Sequence, residues 1–296
     1  MSHAKEVFSS AIFAPVQKLL LPLAQKNGID IFVKREDMIH PFVSGNKWRK
    51  LKYNLLEAET AGYTTLLTFG GAYSNHLLAT ACAAALCGFK SKGLVRGDEK
   101  SHNPVLGLCR TFGMELVFVS REDYRNKEHL AATHADNSTY VLNEGGTNYL
   151  AVRGCAEIVN EVNDFFDHVL VACGTGGTLS GLAKGFAQKH PETKVHGVAV
   201  LKQGEFLAEV VNELAPGLSN WHLHVDDHLG GYAKTTPMLL DLIRTTATGT
   251  GILFDQVYTG KMLHACLRMI REKQVKSGER VLLIHTGGLT GYLSQV

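Results

Sequence analysis

The chain has 296 residues, 45% of them hydrophobic and 20% charged, with a formal charge of +2. This is the make-up of a soluble globular protein with room for one large or two ordinary domains, and the small charge with no Lys/Arg run excludes nucleic acid and anionic membrane surfaces as implied partners. No apolar run nears the roughly 18 residues of a membrane span, and residues 1 to 30 carry no secretory pattern, so cytoplasmic small-molecule chemistry is expected.

Along the chain, apolar or β-branched runs alternate with amphipathic stretches: IDIFVKRED (29–37), TTLLTFGG (64–71), KGLVRG (92–97), ELVFVS (115–120), TYVLNE (139–144), HVLVACG (168–174), KVHGVAV (194–200) and RVLLIHTGG (280–288). This alternation predicts parallel α/β, and runs apolar at every position, such as 169–173 and 281–284, predict a sheet covered by helices on both sides. No repeat or linker divides the chain. Residues 48–152 hold four strand-helix alternations of their own, which predicts a small α/β domain inserted into a larger one made of 1–47 and 153–296. Ligands of such sheets sit at the carboxyl ends of the strands.

Between the first two runs stands Ser44-Gly45-Asn46-Lys47-Trp48-Arg49-Lys50-Leu51, a lysine pinned between a turn and the start of a periodic helix. An amine so limited in reach can form a Schiff base with a carbonyl in a pocket; a solvated lysine at a helix start is the plainer reading of this segment alone. Gly70-Gly71-Ala72-Tyr73-Ser74-Asn75-His76 joins a strand to a helix, where Ser74 either caps the helix or helps a substrate carboxylate bind its N-terminus. There is no G-x-S-x-G elbow, which counts against a serine hydrolase.

The run HVLVACG leads into Gly174-Thr175-Gly176-Gly177-Thr178 and a helix, an arrangement that converges N–H groups and hydroxyls on an anion; a plain tight turn would look the same. The spacing is not G-x-G-x-x-G and no Walker A is present, so dinucleotides and triphosphates are disfavoured. The six cysteines (Cys82, Cys87, Cys109, Cys155, Cys173, Cys266) form no C-x-x-C pair and read as buried thiols. His222, His224 and His228 have an alternation compatible with zinc, but no Cys or Glu-x-x-His partner stands near, and histidines on an exposed strand face give the same pattern.

A reach-limited lysine, a phosphate loop without dinucleotide spacing and a Ser-Asn helix start together specify a phosphorylated aldehyde held on lysine, and pyridoxal 5'-phosphate fits all three. On these residues the sequence resembles the 1-aminocyclopropane-1-carboxylate deaminase and D-cysteine desulfhydrase family, within the tryptophan-synthase-β-like (fold type II) pyridoxal-phosphate enzymes. The resemblance runs from Lys34-Arg35-Glu36-Asp37 to Thr286-Gly287-Gly288. It implies two interleaved three-layer open-sheet domains and a homodimer. By it, Lys47 is the Schiff-base lysine, Lys50 and residues Gly174, Thr175, Gly176, Gly177 and Thr178 hold the phosphate, and Asn75 bonds the cofactor's phenolic oxygen. Ser74 is then the substrate-carboxylate serine, Tyr232 and Tyr258 lie near the reacting carbons, and Thr286 faces the pyridine nitrogen.

The chain departs from the family pattern at Tyr73, where glutamine is usual, and at Leu78, where arginine is common. Ring-opening deaminases resemble one another in a Tyr-Glu pair where this chain has Tyr258-Thr259. A carboxylate facing the pyridine nitrogen keeps it protonated and makes the ring a stronger electron sink; a threonine does not. The expectation is therefore a lyase taking D-cysteine or a related β-substituted D-amino acid to pyruvate, ammonia and sulfide. Behind it stand 1-aminocyclopropane-1-carboxylate deaminase, a racemase of the same fold, a non-catalytic pyridoxal-phosphate carrier or sensor and, from another class, a nucleotide-binding module.

Overall fold

The computed structural model describes residues 3–98, 103–289 and 292. Ten strands form two sheets: β1 (Val16–Leu19), β2 (Asp30–Lys34), β3 (Thr65–Gly71), β4 (Lys90–Arg96), β5 (Met114–Val119), β6 (Thr139–Val141), β7 (His168–Cys173), β8 (Lys194–Ala199), β9 (Trp221–His224) and β10 (Arg280–Ile284). The larger sheet runs β1-β2-β10-β7-β8-β9 and the smaller β5-β4-β3-β6. Every pairing is parallel except that of β1 with β2. Each of the eight sequence runs overlaps a strand. The short edge strand β1 was not foreseen, because Val16-Gln-Lys-Leu19 lies between Pro15 and Pro22 and has neither alternation nor an apolar run to announce it.

Strands with no polar face arise because both faces of the large sheet are covered. In β7, Leu170 and Ala172 face one core with helices Pro237–Thr250 and Thr259–Arg271, while Val169, Val171 and Cys173 face another with helices Tyr149–Asn160 and Gly177–Lys189. The alternation in β10 is the same, Val281 and Leu283 against Leu282 and Ile284. Helix Asn46–Thr60 sets Trp48, Leu51, Leu55 and Ala58 on one stripe against Ala79, Cys82 and Ala83 of helix Asn75–Cys87, beside the small sheet. All six cysteines are free and buried.

Helix 46–60 is clamped by an ion network in which Lys34, Glu36 and Arg49 are buried and Glu161 forms the exposed outer edge. Arg49 Nε and Nη2 donate to Glu36 at 2.8 and 3.0 Å, and its Nη1 and Nη2 donate to Glu161 at 2.7 and 2.8 Å. Lys34, at the end of β2, bonds Glu161 at 2.7 Å and also Ala14 O. The network joins the end of β2, the helix start and the end of helix 149–160.

Across β7, β8 and β9 run three histidines in one line. Arg268 Nη2 can only donate, so His224 Nδ1 accepts it (3.2 Å); His224 Nε2 then donates to His196 (3.0 Å), His196 Nε2 to His168 (3.0 Å), and His168 Nε2 to Glu279 (3.0 Å). A single neutral tautomer satisfies every contact. The sequence allowed an exposed face for these rings, which holds for His222 but not for half-buried His224; His228 instead accepts the Gly230 N–H at 3.1 Å.

Burial first, and then the other histidines, pull His196 down to about 3; burial and His222 pull His224 down to about 4. A histidine kept neutral in the fold contributes stability that is present above its unfolded value near 6.5 and is lost as pH falls toward the folded one. Urea unfolding should therefore lose up to roughly 1.4 kcal/mol per pH unit for each of these two rings between about pH 6.5 and 4. A flat unfolding midpoint across that window would rule out buried neutral rings.

Candidate active site

The carboxyl ends of both sheets meet at a cavity of about 730 Å3. It is lined by Lys47, Lys50, Ser74, Asn75, Gly174, Thr175, Gly176, Thr178, Tyr232, Tyr258 and Thr286. Those residues come from six separate chain segments. Gly177 is not on the wall; it begins helix 177–189 just behind it.

Lys47 reaches the cavity because the turn before it is wedged against the loop after β10. Gly45 has φ +61°, and a Cβ there would lie 1.9 Å from Thr286 O, so only glycine lets the two backbones approach. The Asn46 N–H donates to the same carbonyl at 3.3 Å. Burial, and then the neighbouring Lys50 charge, lower the Lys47 amine to about 7, where it is largely able to act as a nucleophile or base.

Lys50 is 2% exposed, yet its described partners are neutral oxygens: Gly145 O and Thr147 Oγ1 at 3.1 Å and Thr175 Oγ1 at 3.3 Å. Helix 177–189 begins beside it with Gly176 as an N-cap that makes no side-chain bond. A buried cation among neutral acceptors, facing an uncapped helix N-terminus, is a site that calls for an anion, and the phosphate of pyridoxal phosphate fits it. Asn46 Nδ2 donates to Thr178 Oγ1 at 2.9 Å and ties this loop to the lysine turn.

Ser74 caps helix 75–87, its Oγ accepting the Leu77 N–H at 3.2 Å, and its own O–H remains to donate into the cavity. Tyr258 OH donates to Tyr232 OH at 3.1 Å. Desolvation raises both phenols, so both keep their protons at neutral pH. Thr259 does not meet the expectation set for it. Its hydroxyl bonds Asp255 Oδ1 at 2.7 Å and accepts the Asp255 N–H at 2.8 Å, fully buried and off the cavity wall, because Asp255 draws the first turn of helix 259–271 onto itself. Of the two threonines, Thr286 alone lines the cavity.

The sequence reading missed three side chains. His76 lies on the wall, and since Thr68 Oγ1 donates to Leu142 O (3.0 Å) it must accept from His76 Nε2 (2.8 Å), which leaves Nδ1 as a bare acceptor. Burial, then the charges of Lys47 and Lys50, hold His76 neutral. Lys261 is buried and donates to Gly231 O at 2.6 Å and Val200 O at 3.3 Å, fixing the backbone just before Tyr232. Arg96 stands at the cavity mouth. In the sequence, His76 closes the quoted Gly70–His76 motif and Lys261 follows Tyr258-Thr259 by two residues, whereas Arg96 ends an ordinary strand and gave no signal.

Residues 14–287 match the family of pyridoxal-phosphate dependent enzymes. The chain belongs to that family. It is 35% identical, over 95% of both chains, to a provisionally named 1-aminocyclopropane-1-carboxylate deaminase of Thermotoga maritima. It is 30% identical to the bifunctional mitochondrial D-cysteine desulfhydrase/1-aminocyclopropane-1-carboxylate deaminase of Arabidopsis thaliana, over 95% of this chain and 78% of that one. A crystal structure of an ACC deaminase homologue superposes with a TM-score of 0.83 at 27% identity, covering 100% of this chain and 98% of the other. The protein is a fold type II pyridoxal-phosphate-dependent enzyme.

Two outcomes test the site. Borohydride reduction of the holoenzyme followed by peptide mapping should place the pyridoxyl label on Lys47; a label elsewhere would remove that lysine from the chemistry. A Cβ at Gly177 would lie 3.4 Å from Lys50 Nζ. Gly177→Asp therefore sets a carboxylate on the ammonium and should weaken pyridoxal phosphate binding by roughly tenfold or more in an absorbance titration. Unchanged affinity would make the loop a mere turn.

Proposed function

We propose that the enzyme is a lyase that removes the β-substituent of a small D-amino acid, D-cysteine first, giving pyruvate, ammonia and sulfide. The tyrosine pair carries this reading. Tyr258 donates its proton to Tyr232, so the Tyr232 O–H is free to protonate a leaving thiolate in the cavity that also holds Lys47 and Ser74.

Bound pyridoxal phosphate supplies an electron sink that labilises the substrate's α-proton. In this reading Lys47 holds the cofactor; Lys50 with Gly174, Thr175, Gly176, Gly177 and Thr178 holds its phosphate; Asn75 and Thr286 bond its ring. The Lys47 amine, at about 7, takes the α-proton. The Ser74 O–H, its lone pair already engaged by Leu77, donates to the substrate carboxylate at the N-terminus of helix 75–87.

A second reading is opening of 1-aminocyclopropane-1-carboxylate, favoured by the names of the relatives. It ranks lower because the residue that the resemblance matches to the pyridine nitrogen is Thr286, a hydroxyl and not a carboxylate, and it lines the cavity. A carrier or sensor would have no use for Ser74, Tyr232 and Tyr258 together. We also propose a homodimer, on the family resemblance, a cytoplasmic location, and two lobes of residues 1–47 with 153–296 and 48–152. The lobes are supported by strands β3 to β6, which all fall inside the second range.

Assays should show pyruvate and sulfide from D-cysteine and little 2-oxobutyrate from 1-aminocyclopropane-1-carboxylate. Tyr232→Phe should lower kcat for D-cysteine by roughly a hundredfold. Faster ring opening than elimination would exchange the two readings, and a full-rate Tyr232→Phe would reduce that phenol to a wall of the pocket.

A further inference from the structure

Strands β3, β4 and β5 end at Gly71, Arg96 and Val119, and beyond them lies a second cavity of about 810 Å3. It shares Gly71, Ala72, Tyr73, Arg96 and Glu144 with the first, so the two are continuous through one lip. Its walls carry Arg96, Arg121, Arg125 and Lys127 against Asp98 and Glu144. Glu144 is already engaged, accepting the Tyr124 hydroxyl at 2.9 Å and pairing with Lys127 at 3.1 Å.

Arg96, Arg121 and Arg125 have no carboxylate within ion-pair distance among the described residues. The Arg96 guanidinium stands over the ring of buried Tyr124, 5.6 Å from its centroid, and is held there by a cation–π contact. The lip also adjoins the chemistry, since Glu144 and Arg96 are among the charges acting on the Tyr232 hydroxyl. A group attached beyond the leaving atom therefore leads past Tyr232 to Arg96 and into a basic recess.

We propose that this recess binds the anionic far end of the substrate, so that the preferred substrates are amino acids whose β-leaving group carries a distal carboxylate or comparable oxyanion. The proposal rests on the β-elimination reading. The bond from Cβ to the leaving sulfur or oxygen breaks with its electron pair, the α-proton goes to Lys47, and Tyr232 protonates the leaving atom. Water then hydrolyses the released 2-aminopropenoate to pyruvate and ammonium. Arg96 is a substrate-contacting residue in this scheme, and Arg121 and Arg125 deepen the positive field.

O-acetylserine and O-succinylserine test it, because they share the bond that breaks and differ in the distal carboxylate. Both enantiomers of each are offered to the holoenzyme, with kcat/KM read from pyruvate release and Kd from calorimetry. The succinyl ester should be favoured about tenfold or more in kcat/KM and in Kd. Arg96→Gln and the double variant Arg121→Gln/Arg125→Gln should each shrink that ratio toward one. Equal Kd values for the two esters, or a ratio untouched by both variants, overturn the anion site. A Kd ratio that is present and lost in the variants, with no pyruvate from any ester or from cysteine, keeps the anion site and rejects β-elimination.

Discussion

Everything at this site depends on where helix 46–60 begins, and Arg49 fixes that point. Its guanidinium holds two carboxylates at once, Glu36 from the turn after β2 and Glu161 from the end of helix 149–160. Such a network, buried except at Glu161, adds little net stability, because desolvating the charges costs about what their attraction returns; removing one buried partner costs far more, since it strands the others. The value of the network is positional. With Arg49 anchored on one side of the helix, Lys47 and Lys50, two residues before it and one after, are turned toward the cavity.

The opposite condition applies inside the cavity. Among the described residues Lys50 meets neutral oxygens, and Lys47 is held near half-protonation by burial and by Lys50. On helix 46–60, therefore, the cation that sets the geometry is neutralised by carboxylates, and the two that face the cavity are not. That contrast separates a structural arginine from binding lysines three residues apart or fewer, on one helix, without reference to any other protein.

The parallel strands were legible because strands covered on both faces have no polar positions, and 168–173 and 280–284 could be read directly. The glycine turns were legible as well, since backbone approach demands glycine whatever lies opposite. Side chains acting at a distance from any motif were not. Glu161 sits in an unremarked helix end and meets Arg49 112 residues earlier, and Arg96 closes an ordinary strand and takes its place over Tyr124 of a separate segment. Thr259 shows the converse failure. Its position beside Tyr258 suggested a place in the pocket, but a buried aspartate four residues earlier captures its hydroxyl, a local bond that residue spacing does not reveal.

The wedge of Gly45 against Thr286 has a consequence for how the molecule comes into being. The proposed Schiff-base lysine, Lys47, precedes β3 in the chain, but the surface that sets its direction follows β10, which lies between β2 and β7. A nascent chain on the ribosome can complete the β3–β6 sheet early, yet it cannot present Lys47 to a cofactor until synthesis has passed residue 286. Shortened chains that stop before β10 would keep the lysine and lose the surface that aims it, so capture of an aldehyde at Lys47 would require the large sheet to be complete.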